Sequence, residues 1–135
     1  MILKKLKKCL KNEKRENIFD IVIFGSLVKG SLEPRDIDVM VIFSEGGLKE
    51  RLDAIQEIKS RLKGKIDETI DVKQCLLKDL FAPEFMARTG ILLEGFSVFH
   101  NKKFCQTLGF DSYTIFWYNL KNLSHTQKVK FNYIL

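Results

Sequence analysis

An apolar run, Ile18 to Phe24, ends in Gly25-Ser26, and beyond it stand Asp36-Ile37-Asp38 and, further on, Asp71 between Ile70 and Val72. A glycine at the end of a buried strand lets backbone approach a ligand closely, because no Cβ intervenes. Ser26 adds a hydroxyl donor, and a helix beginning there would aim free N–H groups and a positive dipole end at the same space. The segment Gly25-Ser26-Leu27-Val28-Lys29-Gly30 therefore reads as a phosphate cradle, with Lys29 offering its ammonium either to phosphate or to solvent. Asp36 and Asp38 lie two apart on a strand and so point the same way. Two carboxylates facing one side repel unless a cation sits between them, and Mg²⁺ is the cation that binds through a few carboxylates plus substrate phosphates. With Asp71 as a third carboxylate, the set meets the needs of two-metal phosphoryl transfer: one ion neutralises a triphosphate and its leaving group, the other activates a hydroxyl.

The elements that must position these residues follow from periodicity. Ile2/Leu3, Leu6 and Cys9/Leu10 recur at helical spacing with Lys between them, which predicts a short amphipathic helix rather than a secretory signal. Ile18 to Phe24 predicts a buried strand, and Ser26 a brief helix broken by Gly30 and Pro34. Asp36 to Phe43 predicts a second strand with Ile37, Val39, Val41 and Phe43 on one face and the two aspartates on the other. After the Gly46-Gly47 turn, Leu48, Leu52, Ile55 and Leu62 stripe a helix running to about Lys63, and Thr69 to Lys73 predicts a third strand. A strand–helix–strand unit of this length makes a parallel crossover, which sets the third strand beside the second and brings Asp71 to the aspartate pair. Asp67 and Glu68 are nearby acids, but only Asp71 is flanked by core-facing β-branched residues. Pro83 opens an expected helix through about Glu94, Phe96 to Phe99 an edge strand, and Tyr113 to Leu120 a strand or extended stretch. Ser124-x-x-Gln127 is a capping box for a last helix, whose end Tyr133-Ile134-Leu135 is apolar. The expectation is one α/β (α+β) domain over residues 1–135, a mixed sheet of about four to five strands flanked by helices. Its motif core lies at 18–74 and a C-terminal strand and helix at 112–135.

A strand ending in Gly25-Ser26, a short helix, then Asp36-x-Asp38 on the next strand resembles the signature of the DNA polymerase beta-like nucleotidyltransferase superfamily. In size the chain looks like the minimal nucleotidyltransferases of bacteria and archaea. That resemblance implies that Gly25 and Ser26 hold the triphosphate of ATP or another nucleoside triphosphate, with Lys29-Gly30 where members often have Arg-Gly. It also implies that Asp36 and Asp38 bind both magnesium ions, and that Asp71 completes the metal site and serves as base. Leu27 stands where an Arg is frequent, and Arg35 where Ser is common. The implied activity is transfer of a nucleoside monophosphate, AMP from ATP first, to a hydroxyl on a small antibiotic, an RNA 3′ end or a protein tyrosine. Small members of this kind are often paired with a helical partner of the HEPN type, as antitoxin to toxin, and a protein acceptor ranks first on that ground.

Composition bounds the alternatives. The chain has 135 residues, 45% of them apolar and 11% aromatic, which suits one globular core and not a disordered chain. No apolar run approaches the ~20 residues needed to cross a bilayer. Cys9, Cys75 and Cys105 are odd in number and widely spaced, fitting neither a disulfide framework nor a zinc site and pointing to a reducing cytoplasm. The net charge of +6 sits at the ends: residues 1–16 carry +5 and 119–135 carry +3, leaving −2 between. A basic end is most simply a solvated face, so RNA is not the favoured partner, although Lys4, Lys5, Lys7 and Lys8 offer an arm for a tRNA-directed transferase. His100 and His125 have no partners at metal-ligand spacing and read as surface residues. The Tyr113–Tyr118 aromatics read as core or as a contact between subunits. Leu27, Arg35 and the apolar C-terminal end also allow a non-catalytic binding module that keeps the fold and acts through a partner.

Overall fold

In the computed structural model, which describes Ile2–Ile134, the hydrophobic periodicities become two layers of helix and turn on either face of one sheet. Helix α1 spans Ile2–Lys11, strand β1 Ile18–Phe24, strand β2 Asp36–Phe43, helix α2 Leu48–Leu62 and strand β3 Thr69–Leu76. Two short strands follow, β4 (Phe96–Ser97) and β5 (Lys102–Lys103), then a one-turn helix α3 (Phe104–Thr107) and helix α4 (His125–Ile134). The sheet order is β3-β2-β1-β4-β5. Only β2 and β3 run parallel, as the helical crossover through α2 demands; the other three pairings are antiparallel. The sheet is therefore mixed, five-stranded and flanked by helices.

Alternation along β2 divides the core. Ile37, Val39, Val41 and Phe43 pack with Ile21 and Ile23 of β1 against α1 and α2, through Leu6, Leu10, Ile55 and Ile58. Met40 and Ile42 face the opposite way, into a second cluster with Val22, Phe24, Cys75, Leu80, Ile91 and Phe104. Asp36 and Asp38 lie on this second face, at the end of β2 where the apolar cluster has stopped. A buried Glu13 anchors the link between α1 and β1 by accepting bonds from Arg61 of α2 and pairing with Arg15, so its charge is compensated.

Several elements differ from the sequence-based expectation. Ser26 to Gly30 form turns instead of a helix: Gly30 has φ +94°, and the Ser31 amide bonds back to the Ser26 carbonyl, closing the chain before a helix can propagate. The helix expected from Pro83 begins only near Arg88 and is a π-type turn over Gly90–Glu94, while a 3-10 turn at Leu77–Phe81 carries the chain out of β3. The strand expected at an edge over Phe96 to Phe99 is two residues long and lies between β1 and β5, because Val98 and Phe99 turn the chain back to pair as β5. Tyr113 to Leu120 is irregular chain and not a strand. The capping box is present, with the Ser124 amide donating to the Gln127 side chain at 2.9 Å and the Gln127 amide to Ser124 Oγ at 3.3 Å. Leu135, the last residue of the expected C-terminal segment, lies outside the described residues.

Candidate functional site

Register decides which carboxylates meet. In the parallel β2–β3 ladder Asp38 lies opposite Asp71, and Asp36 opposite Thr69. Asp38 and Asp71 thus stand side by side on the second face of the sheet, Asp38 with 30% and Asp71 with 46% of its side chain exposed. Asp36 is exposed one pleat toward the start of β2, on the same face. Among the described residues no group of three or more His, Cys, Asp or Glu comes close enough to form a metal cluster as it stands. The structure therefore brings two of the three expected carboxylates together and leaves Asp36 at the margin.

The Gly25 turn meets this pair at Asp38. Phe24 lies opposite Asp38 in the antiparallel β1–β2 ladder, and Gly25 follows with φ +80°. A Cβ at position 25 would come to 2.5 Å from Asp38 Oδ2. The left-handed backbone favours glycine, and any Cβ would in addition oblige the end of the Asp38 side chain to shift. Ser26 is exposed immediately beyond. Without the helix, backbone amides of a tight turn remain the donors available to an anion. Gly30 is also exposed, with open space around it. Lys29 turns instead to Glu94, Nζ to Oε2 at 2.9 Å, which ties the turn to the π-type segment.

Sequence reasoning passed over Lys73. It lies two residues after Asp71 on β3, hence on the same face, and its Nζ stands 2.9 Å from Asp71 Oδ2 and 3.9 Å from Asp38 Oδ1. The bond to Asp71, with the charges of Asp71 and Asp38 behind it, holds the ammonium above the usual lysine range against the opposing effect of burial. A cation between two carboxylates is the arrangement the sequence reading had assigned to metal, and here a side chain supplies it. The signal was available, since Asp-x-Lys on a strand shares a face, but it gains meaning only once the β2–β3 register is fixed.

A second polar cluster also escaped the sequence. Asp20 is fully buried on β1, its Oδ1 accepting from the Ile21 amide at 2.8 Å and its Oδ2 from Ser97 Oγ of β4 at 2.7 Å. His100 Nδ1 lies 3.1 Å from Ser97 Oγ and 3.4 Å from Asp20 Oδ2. Asp, His and Ser here do not form a nucleophile, because Ser97 is wholly buried and its hydroxyl already donates to Asp20. The cluster joins β1 to β4, and His100, exposed as expected, caps it from the surface. In α1, Lys7 is also engaged, its Nζ 3.7 Å above the Phe96 ring, while Lys4, Lys5 and Lys8 are exposed. Among the described residues no helix is long and apolar enough to cross a membrane.

A family model described as "Polymerase beta, Nucleotidyltransferase" matches residues 4–95 of the chain. No curated protein matches it in sequence. Two solved structures are similar to it. One is a toxin–antitoxin MntA–HpeT mutant, 18% identical over 70% of each chain, with a TM-score of 0.45. The other is a toxin–antitoxin with AMP-PNP, 20% identical over 73% of each chain, with a TM-score of 0.47.

Proposed function

We propose, from the premise that this chain belongs to the polymerase beta nucleotidyltransferase family, that it transfers a nucleoside monophosphate from a nucleoside triphosphate, ATP first, to a hydroxyl acceptor. The observation that carries the reading is the pairing of Asp38 with Asp71 in register, against a Gly25 that no other residue could replace without moving Asp38. The donor set fits magnesium: hard carboxylate oxygens from neighbouring strands already gather one cation between them. Asp38 and Asp71 would hold the metal with Asp36 beside them, and two ions are expected in the loaded site. Bound there, magnesium supplies charge neutralisation at the triphosphate and lowers the pKa of the attacking hydroxyl.

The chain's own residues then divide the work. Gly25 and Ser26 receive the triphosphate, Ser26 donating from its hydroxyl, with Gly30 keeping the turn open. Asp71 accepts the proton of the acceptor hydroxyl, whose oxygen bonds to the α-phosphorus as the bond to the β-phosphate oxygen breaks and pyrophosphate leaves. Lys29 joins the phosphates only on release from Glu94. The acceptor we favour is a hydroxyl on a partner protein, of the HEPN type named above. The exposed aromatic stretch Tyr113–Tyr118 is the surface through which the chain would meet that partner or a second copy of itself.

The test is mass spectrometry of candidate partner proteins after incubation with ATP and Mg²⁺. A nucleotide adduct is expected with the wild-type chain and a loss of about a thousandfold with Asp38→Asn, a removal of ~4 kcal/mol of transition-state stabilisation. Adducts formed equally well by the variant would sink the proposal.

A second reading, a binding module without turnover, draws on two observations: Lys29 is held by Glu94, and Lys73 already occupies the carboxylate pair. Calorimetric titration with ATP and Mg²⁺ separates the two readings. Metal-dependent nucleotide binding that disappears in Asp36→Ala/Asp38→Ala favours the enzyme, and no binding at millimolar ATP favours the module.

A further inference from the structure

The two carboxylates that face each other across β2 and β3 would repel if left alone, yet they stand on adjacent strands at directly paired positions. What reconciles them is Lys73, opposite Met40 and so diagonal to Asp38, whose ammonium bonds Asp71 at 2.9 Å and reaches Asp38 at 3.9 Å. A lysine ammonium is a compact point charge on a flexible stem, able to leave a carboxylate and find another anion within reach. Its side chain is half exposed, so no packing locks it in place.

We propose that Lys73 is a built-in counter-cation that competes with divalent metal for Asp38 and Asp71, and that it couples metal loading to nucleotide loading. The inference rests on the reading of Asp38 and Asp71 as metal ligands. A metal ion entering without nucleotide must displace the ammonium into water and bring two positive charges close together. A metal ion entering with a nucleoside triphosphate gives the displaced ammonium a polyphosphate to pair with. The bare metal is then bound weakly and the metal–nucleotide complex strongly, and the difference is a coupling free energy carried by one side chain. Lys73 is a positioning residue in this scheme: it sets what the carboxylates accept, and takes no part in proton transfer.

The experiment measures Mn²⁺ binding by electron paramagnetic resonance of the free ion, with and without a non-hydrolysable ATP analogue, for wild type, Lys73→Gln and Lys73→Arg. Lys73→Gln is expected to bind bare Mn²⁺ about tenfold more tightly than wild type and to lose most of the analogue's enhancement, a factor within the usual range of allosteric couplings. Lys73→Arg, which keeps the charge, should behave as wild type within about twofold, separating charge from packing. In the wild-type protein itself, the ¹⁵N signal of Lys73 Nζ should move as Mg²⁺ is titrated in, a readout independent of any variant's folding. Unchanged or weaker Mn²⁺ binding by Lys73→Gln, with wild type binding normally, overturns the counter-cation proposal and leaves the metal site standing. A stationary Lys73 signal while Mg²⁺ binds overturns it equally. Absence of Mn²⁺ binding by all three proteins, with and without the analogue, overturns both this proposal and the metal-site reading beneath it.

Discussion

Strand β2 and the stretch from Phe110 to Tyr118 are both rich in large apolar residues, and they meet opposite fates. In β2, Ile37, Val39, Val41, Ile42 and Phe43 have no exposed surface. In the C-terminal stretch, Tyr113 is 86% exposed and Trp117 92%. The difference lies in what each can pack against, not in hydrophobicity. β2 has strands on both sides and a packed cluster on each face, so either direction of its alternating side chains finds neighbours. The C-terminal stretch joins no sheet, and helix α4 beyond it buries none of its residues. It is tethered at its start, where the Phe110 amide bonds the Cys105 carbonyl, Gln106 bonds Asp111 and the Ser112 hydroxyl bonds the Leu93 carbonyl, while Tyr118 meets Phe131 edge-on at 4.9 Å between ring centroids. Apolar sequence is a demand for burial, and a domain can meet it only where its own topology supplies a second surface.

If the two regions are as independent as this contrast requires, substitutions should report it. Phe43→Ala, deep in the first cluster, should cost about 3–5 kcal/mol in urea unfolding, since the cavity left cannot collapse between β2 and its neighbours. A loss under ~1 kcal/mol would mean the sheet core is not the cooperative unit. Cys75 offers a subtler probe of the same region. Burial among apolar residues pushes its thiol up to about 12, from an ordinary value of about 9.0. The folded state therefore holds this proton more tightly than the unfolded state does, and the contribution is fully present below pH 9 and lost as pH rises toward 12. Relative to Cys75→Ala, the wild-type chain should lose up to about 1.4 kcal/mol per pH unit across that window in chemical denaturation. Parallel stability curves for the two proteins would show the thiol to be solvated.

Smaller effects test the junction and then the free end. Gly25→Ala should destabilise by about 1–2 kcal/mol, from the left-handed backbone and the displaced Asp38, and weaken metal binding more than stability. Equal metal affinity with the wild type would show that Asp38 yields without consequence. Removal of residues from 113 onward should change stability by less than about 0.5 kcal/mol, the range of surface changes that bury nothing. Trp117 is the one tryptophan in the chain, so its fluorescence should already be that of a solvated indole and stay nearly constant through the unfolding that circular dichroism follows. A large blue shift in the native protein would reveal that another molecule or another copy covers it.

These contrasts also indicate what the sequence could and could not reveal. The parallel crossover was legible because chain length and handedness leave a strand–helix–strand unit little choice, and from it followed the meeting of Asp38 with Asp71. The helix at Ser26 was not borne out, because Gly30 and the Ser31–Ser26 backbone bond close the segment into turns, a choice settled over a few residues where capping and turn propensities compete. The partner of Lys29, Glu94, is remote in sequence and adjacent in space, so periodicity gave no sign of it. Lys73 and the Asp20–Ser97–His100 cluster escaped for a related reason: each depends on a pairing between strands, and periodicity reports which face a residue occupies but not who stands across from it. The aromatic stretch was read as core or subunit contact, and the fold leaves it outside its own core.

Strand β3, which carries both Asp71 and Lys73, is the outermost strand of the sheet, with β2 as its only strand neighbour among the described residues. Under the proposed function, a reaction centre at such a border would be approached from the flank instead of through a deep cleft. The size limit on an incoming molecule is then set by the rim around it, and a bulky folded surface can be presented there as readily as a small metabolite.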